Sequence, residues 1–156
     1  MPTTIQLITP ELLQSVLDQA RLSPRLRMNY NFHRALSDNP HRFLNVMLRG
    51  TYIAPHRHLD PPKSESFLVL EGQVAFLMFH DDGTIAARHL LGAGAALGID
   101  IAPGVWHTLA VLTDHAICYE VKPGPYSPAT DKSFAPWAPR ESDPQAPAYL
   151  ASLIAL

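Results

Sequence analysis

The residues best suited to chemistry in this chain are His56 and His58, two apart in Gly50-Thr-Tyr-Ile-Ala-Pro-His-Arg-His, followed by Glu65 and then His107 in Pro103-Gly-Val-Trp-His. Side chains two apart on a strand share a face, so both imidazoles point the same way and Arg57 between them points away. A glutamate opening the next strand can meet them there. Imidazole and carboxylate together suit a divalent transition metal such as Zn, Fe, Ni or Mn, and the spacing does not choose among these. All four groups must converge for metal–nitrogen contacts of about 2.0–2.2 Å. Four protein ligands leave room on the ion for water, substrate or dioxygen, which is the condition for catalysis.

The elements that must position these groups are mostly short strands. Strands are expected near 43–53, 65–71, 73–80, 84–91, 106–112 and 115–122, with turns at Glu71-Gly72 and Asp81-Asp82-Gly83. Gly92, Gly94 and Gly98 mark an irregular crossing. Regular alternation back from His56 puts Tyr52, Leu48, Val46 and Leu44 on the ligand side. Glu65 leads Phe67 and Val69, and His107 leads Leu109 and Val111, so each strand carries a ligand near one end and apolar residues deeper in. A helix is expected over 9–21, capped by Thr9, opened by Pro10 and Glu11, with Leu12, Leu13, Val16, Leu17 and Ala20 as its apolar stripe. Residues 25–33 alternate as a strand, which gives Asn29, Asn31 and His33 one face. They tie the tail to the barrel or, alternatively, line the mouth.

From Pro123 the chain holds seven of its 15 prolines, yet also Tyr126, Phe134, Trp137 and Tyr149. Those aromatics argue against disorder. The expectation is an ordered arm anchored by Asp131, Lys132 and Trp137, ending in a short helix from about Pro147. The organisation read from this is one domain: an N-terminal helix and strand arm over 1–42, a barrel over 43–122 and a C-terminal arm over 123–156.

Composition narrows the partners. The 156 residues suit one core, and 47% of them are apolar. A formal charge of −2 gives no field for nucleic acid or an anionic membrane. No signal-peptide pattern and no membrane-length apolar run is evident, so the expected setting is cytoplasmic. The lone Cys118 reads as a packing thiol. His41, His80, His89 and His115 lie near turns or strand ends and read as exposed or locally satisfied. Tyr52 is the candidate proton donor beside a metal-bound water, and Lys63 the candidate contact for an anionic substrate group.

Gly50-x5-His56-x-His58-x6-Glu65-x6-Gly72 resembles the first motif of the cupin superfamily, and Gly98-x4-Pro103-Gly104-x2-His107 resembles the second. The His58–Glu65 loop is longer than usual, the second motif lacks the residue between proline and glycine, and its closing asparagine corresponds to Val111. More narrowly, the chain resembles the WbuC-type cupin-fold metalloproteins. The segments that carry this are Arg25 to His33, Gly50 to His58, Lys63-Ser-Glu65, Lys122-Pro-Gly-Pro-Tyr126 and Asp131 to Glu141. The resemblance implies an all-β jelly-roll barrel with one bound divalent metal at His56, His58, Glu65 and His107. It also implies a link to bacterial surface polysaccharide. The functional expectation is a metal-dependent enzyme acting on a small molecule, a sugar or nucleotide-sugar intermediate. A non-haem iron dioxygenase and a non-catalytic sugar-binding or regulatory module are the alternatives. A homodimer is expected because sheet edges invite pairing.

Overall fold

A computed structural model describes residues 5–155. Thr9 Oγ1 accepts from the Leu12 amide at 3.2 Å and Pro10 opens the first turn, so helix α1 runs Pro10–Leu22. The strands that follow are β1 (Arg27–Asn31), β2 (His41–Leu48), β3 (His56–Arg57), β4 (Glu65–Glu71), β5 (Gln73–Phe79), β6 (Ile85–Gly92), β7 (Gly98–Ile101), β8 (Trp106–Val111), β9 (His115–Lys122) and β10 (Ser133–Phe134). Helix α2 (Ala146–Ile154) closes the described chain. Two five-stranded antiparallel sheets, ordered β1-β2-β9-β4-β7 and β10-β3-β8-β5-β6, face each other as a jelly-roll barrel.

The alternation of each strand sorts its side chains into three layers. Met47, Phe67, Val74, Phe76, Leu109, Val111 and Cys118 fill the space between the sheets. Val16, Leu17 and Ala20 of α1 pack on Leu44, Val46 and Ile117 outside the first sheet. Ala146, Leu150 and Leu153 of α2 pack with Ala75, Leu77 and Trp106 outside the second. Each helix thus covers a sheet face that would otherwise expose apolar surface. Truncating the 4%-exposed Leu17 to Ala is expected to cost about 2–5 kcal/mol, read by denaturant titration.

Three expectations change. The run 43–53 is not one strand: β2 ends at Leu48, and Arg49 to Pro55 carries the chain to the other sheet, where β3 begins at His56. This crossing breaks the parity. Leu44 and Val46 therefore lie under α1, whereas Phe43, Asn45 and Met47 face inward. The glycine-marked crossing contains a real strand, β7, at the edge of the first sheet. The strand expected within 25–33 is β1, but it is an edge member of the first sheet, in full antiparallel register with β2, and not an arm laid on the barrel. Glu71-Gly72 is not a hairpin turn but carries the chain from β4 in the first sheet to β5 in the second. Gly72 has φ +76°, and a Cβ there would sit 2.2 Å from the His115 carbonyl oxygen, so no other residue fits.

Candidate metal centre

β3 and β8 pair with His56 opposite His107, which places the two imidazoles side by side on the inner face of the second sheet. Their ring centroids are 4.6 Å apart. His58 follows β3 on the same side, and Glu65 opens β4 on the facing sheet. One ligand atom from each of the four residues falls within 4.8 Å of all the others, and all four side chains are buried. Below them lie Phe67, Phe76 and Leu109, the packed base of the barrel.

The hydrogen bonds fix which nitrogen each ring presents. Nδ1 of His56 donates to the Ala54 carbonyl at 3.0 Å, Nδ1 of His107 to the Val105 carbonyl at 2.9 Å, and Nδ1 of His58 to the Asp131 carbonyl. A carbonyl only accepts, so each Nδ1 carries the proton and each neutral ring turns an Nε2 lone pair inward. Glu65 Oε2 then lies 3.1 Å from His107 Nε2 and 3.4 Å from His58 Nε2. Lone pairs at that spacing repel unless positive charge lies among them. His58 Nε2 is buried with no hydrogen-bond partner among the described residues, a polar atom that a cation would satisfy. Burial, reinforced by the charge of Lys132, pushes the His56 imidazole well down toward the neutral form that a metal needs. The residues present therefore fit a divalent metal.

Glu65 is helped by a neighbour absent from the sequence reading. Burial works against its ionisation, but a hydrogen bond from the Glu120 carboxyl leads the influences that outweigh it and hold its carboxyl well below the usual range. Glu120 goes the other way: burial and the Glu65 charge push it well above the usual range, so it stays protonated. A charged residue in the apolar run Ile117-Cys-Tyr-Glu120-Val was the available signal, since the shared parity of Cys118, Glu120 and Lys122 aims all three inward. Cys118 itself sits in the core with its thiol pushed up to about 12 by burial, as a packing residue.

Glu120 also forms part of the wall of a cavity of about 610 Å³. Asn29, Asn31, Phe43, Asn45 and Lys122 line it from the first sheet, and Tyr126, Asp131, Lys132 and Phe134 close it from the C-terminal arm. None of the four clustered residues lines the cavity, but its wall includes two residues that touch them, Glu120 beside Glu65 and Asp131 at His58. Asn29 and Asn31 line it instead of tying down the tail. His33 donates or accepts locally at Arg42 and stacks on His41, 3.9 Å between centroids.

Tyr52 is not brought to the ligands. It packs with Ala54, Ala75, Leu77 and Trp106 on the α2 side of the second sheet, opposite the face that carries His107, and its hydroxyl donates to the Pro139 carbonyl at 2.7 Å. Burial pushes its phenol up, away from proton transfer near neutrality. The cause is again the chain crossing after Leu48. Tyr52→Phe is expected to lower stability by about 1 kcal/mol and leave metal content unchanged, by thermal unfolding and metal analysis. Lys63 is not free for a substrate either. Its ammonium is buried, 2.6 Å from the Pro125 carbonyl and 3.0 Å from Asp131. Asp131 also takes Lys122 at 2.7 Å and holds His58 through its backbone, so Lys63 acts on the centre only by fixing Asp131. Arg57 faces away, its guanidinium 4.2 Å over the Trp106 ring. Trp137 anchors the arm against Phe79 and Trp106.

Residues 8–91 match the family model described as a domain of unknown function, DUF6016. No curated protein matches. Similar solved structures include the capsular polysaccharide assembling protein CapF of Staphylococcus aureus, at 22% identity and a TM-score of 0.60, over 72% of this chain and 32% of that one. TT1209 of Thermus thermophilus is 17% identical with a TM-score of 0.56, over 76% and 97% of the two chains. NovW, a 4-keto-6-deoxy sugar epimerase of Streptomyces spheroides, is 17% identical with a TM-score of 0.50, over 60% and 49%. The chain spans about a third of CapF. These likenesses place the barrel among cupin folds. Among the described residues no helix is long and apolar enough to cross a membrane.

Proposed function

From the premise that this chain belongs to the DUF6016 family, we propose that it is a metal-dependent enzyme of the cupin type acting on a sugar or nucleotide-sugar intermediate of bacterial surface-polysaccharide synthesis. The observation that carries the proposal is the convergence of three inward Nε2 atoms and Glu65 within 4.8 Å, next to a cavity of about 610 Å³, a volume in the range of small-molecule sites. The roles of CapF in capsular polysaccharide assembly and of NovW as a sugar epimerase support the sugar class, as does the resemblance to the WbuC-type metalloproteins.

His56, His58, Glu65 and His107 would hold the ion. When bound, a divalent metal supplies Lewis acidity toward a carbonyl or hydroxyl oxygen. The chain's own residues orient and sequester. Glu120, protonated and in the cavity wall, holds a proton beside Glu65 where a substrate oxygen enters. Asn29, Asn31 and Asn45 offer amides to sugar hydroxyls. The arm residues Tyr126, Lys132 and Phe134 roof the cavity and limit water.

The test is incubation of the zinc-loaded and iron-loaded protein with a panel of keto-sugars and nucleotide sugars in D2O. Deuterium gained at a sugar carbon supports isomerisation or epimerisation. Oxygen uptake by the iron form without exchange moves the assignment to a non-haem iron dioxygenase. Calorimetric binding with neither moves it to a non-catalytic module. A homodimer would use edge strand β7, beside the exposed Leu68 and Leu97, and light scattering at monomer mass would reject it.

A further inference from the structure

Four cationic side chains line the cavity, and three of them are already spoken for. Arg25 and Arg27 both pair with Glu141, and Arg27 donates as well to Thr51 and to the Tyr52 carbonyl. Lys122 is held by Asp131 at 2.7 Å. The fourth, Lys132, is half-buried, and its ammonium makes no ion pair or hydrogen bond to any described residue. Its place is nonetheless fixed. Asp131 before it is fastened to His58, and Phe134 after it pairs with His56 across β10 and β3. An unpaired ammonium beside a buried metal centre is costly unless something else answers its charge. Lys132 shares the cavity wall with Glu120 and Lys122. Burial and the repulsion of Lys122 push its ammonium down, while Glu65 and Glu120 draw it up.

Opposite, Asn45 brings one amide group to Glu120 at 3.3 Å and leaves the other amide atom buried without a partner. Whichever way that amide is turned, one hydrogen bond stays open toward the cavity. Phe43 and Phe134 supply apolar wall for the carbon face of a ring.

We propose that Lys132 anchors the negatively charged group of the substrate, and that this substrate is a small hydroxylated carboxylic acid, a sugar acid in class. The inference rests on the sugar-directed reading above and narrows it. One free point charge suits one carboxylate. A diphosphate would call for several cations or an unoccupied guanidinium fork, and both arginines here are committed to Glu141. The open Asn45 amide, with Asn29 and Asn31, meets the hydroxyls.

The experiment is calorimetric titration of the zinc-loaded full chain with D-galacturonate, D-galactose and inorganic phosphate, on wild type, Lys132→Met and Lys132→Arg, with zinc content and melting temperature measured on each. Galacturonate is expected to bind more tightly than galactose or phosphate, and Lys132→Met to weaken it roughly ten- to a hundredfold at unchanged zinc content. Lys132→Arg is expected to restore most of the affinity, which separates a charge role from a fold role even if the Met variant is unstable. The proposal is overturned by no galacturonate binding, by galactose or phosphate binding as tightly, or by equal affinity in Lys132→Met. A wild type that takes up no zinc sinks the metal reading alone, because the same titrations still measure Lys132.

Discussion

Chelation of the metal-loaded protein is expected to lower its melting temperature by about 8–16 °C, and His58→Ala is expected to abolish both the metal uptake and the chelator effect. An ion present at about a thousand times its dissociation constant stabilises the folded chain by roughly 4 kcal/mol. For a chain of this size each kcal/mol moves the midpoint by about 2–4 °C. His58 is the sharpest choice because, of the four clustered residues, its side chain has the buried polar atom without a partner among the described residues, so it contributes little to the metal-free state beyond its bond to Asp131. Acid should release the ion, since protonated imidazole cannot ligate, and His56 is expected to hold out to lower pH because burial depresses its protonation. Scanning calorimetry with metal analysis decides it: identical midpoints with and without chelator would remove the ion from the centre.

Asp131→Ala should be the most damaging substitution outside the ligands, costing about 3–5 kcal/mol, or about 6–20 °C. Its carboxylate, 2% exposed, lies between Lys63 at 3.0 Å and Lys122 at 2.7 Å, themselves 5% and 7% exposed. Removing it leaves two buried ammonium groups facing each other. Burial opposes the Asp131 charge, but Lys122 and Lys63 outweigh it and hold the carboxyl below its ordinary value. A lowered folded-state pKa means this stabilisation is complete above the ordinary carboxylate range and is lost as pH falls through the lowered value. Wild type should therefore lose stability on acidification more steeply than the variant. Denaturant titrations of both across acidic pH measure this, and parallel curves would show that Asp131 carries no such charge. A double-mutant cycle with Lys63→Met gives the coupling directly.

The cluster of His56, His58, Glu65 and His107 was legible because it is written locally. His56 and His58 share a face by strand parity, Glu65 opens the next strand, and Gly72 and Pro103-Gly104 mark the turns at which the chain passes from the first sheet to the second. Phe67, Leu109 and Val111 below the ligands followed from the same period. Helix α1 came within a residue at each end because Thr9, Pro10 and the apolar stripe are all local signals. Period alone failed where the chain changed sheets. A run from Phe43 to Ile53 looks continuous, but Arg49 to Pro55 crosses the barrel, and every side chain counted back from His56 through it was assigned to the wrong face.

Residue types and spacing by themselves determined that three imidazoles and a carboxylate meet on one barrel, since alternation and turn chemistry act over a few residues. Only the tertiary structure decided what surrounds them. Glu120 reaches Glu65 from β9, Lys63 is claimed by Asp131, Tyr52 by Pro139, and Lys132 is left without a partner among the described residues. Those outcomes depend on which charges from distant segments meet at the same buried point, and approach between residues 42 or 68 positions apart, as for His107 with Glu65 and Lys63 with Asp131, has no signature in any local window.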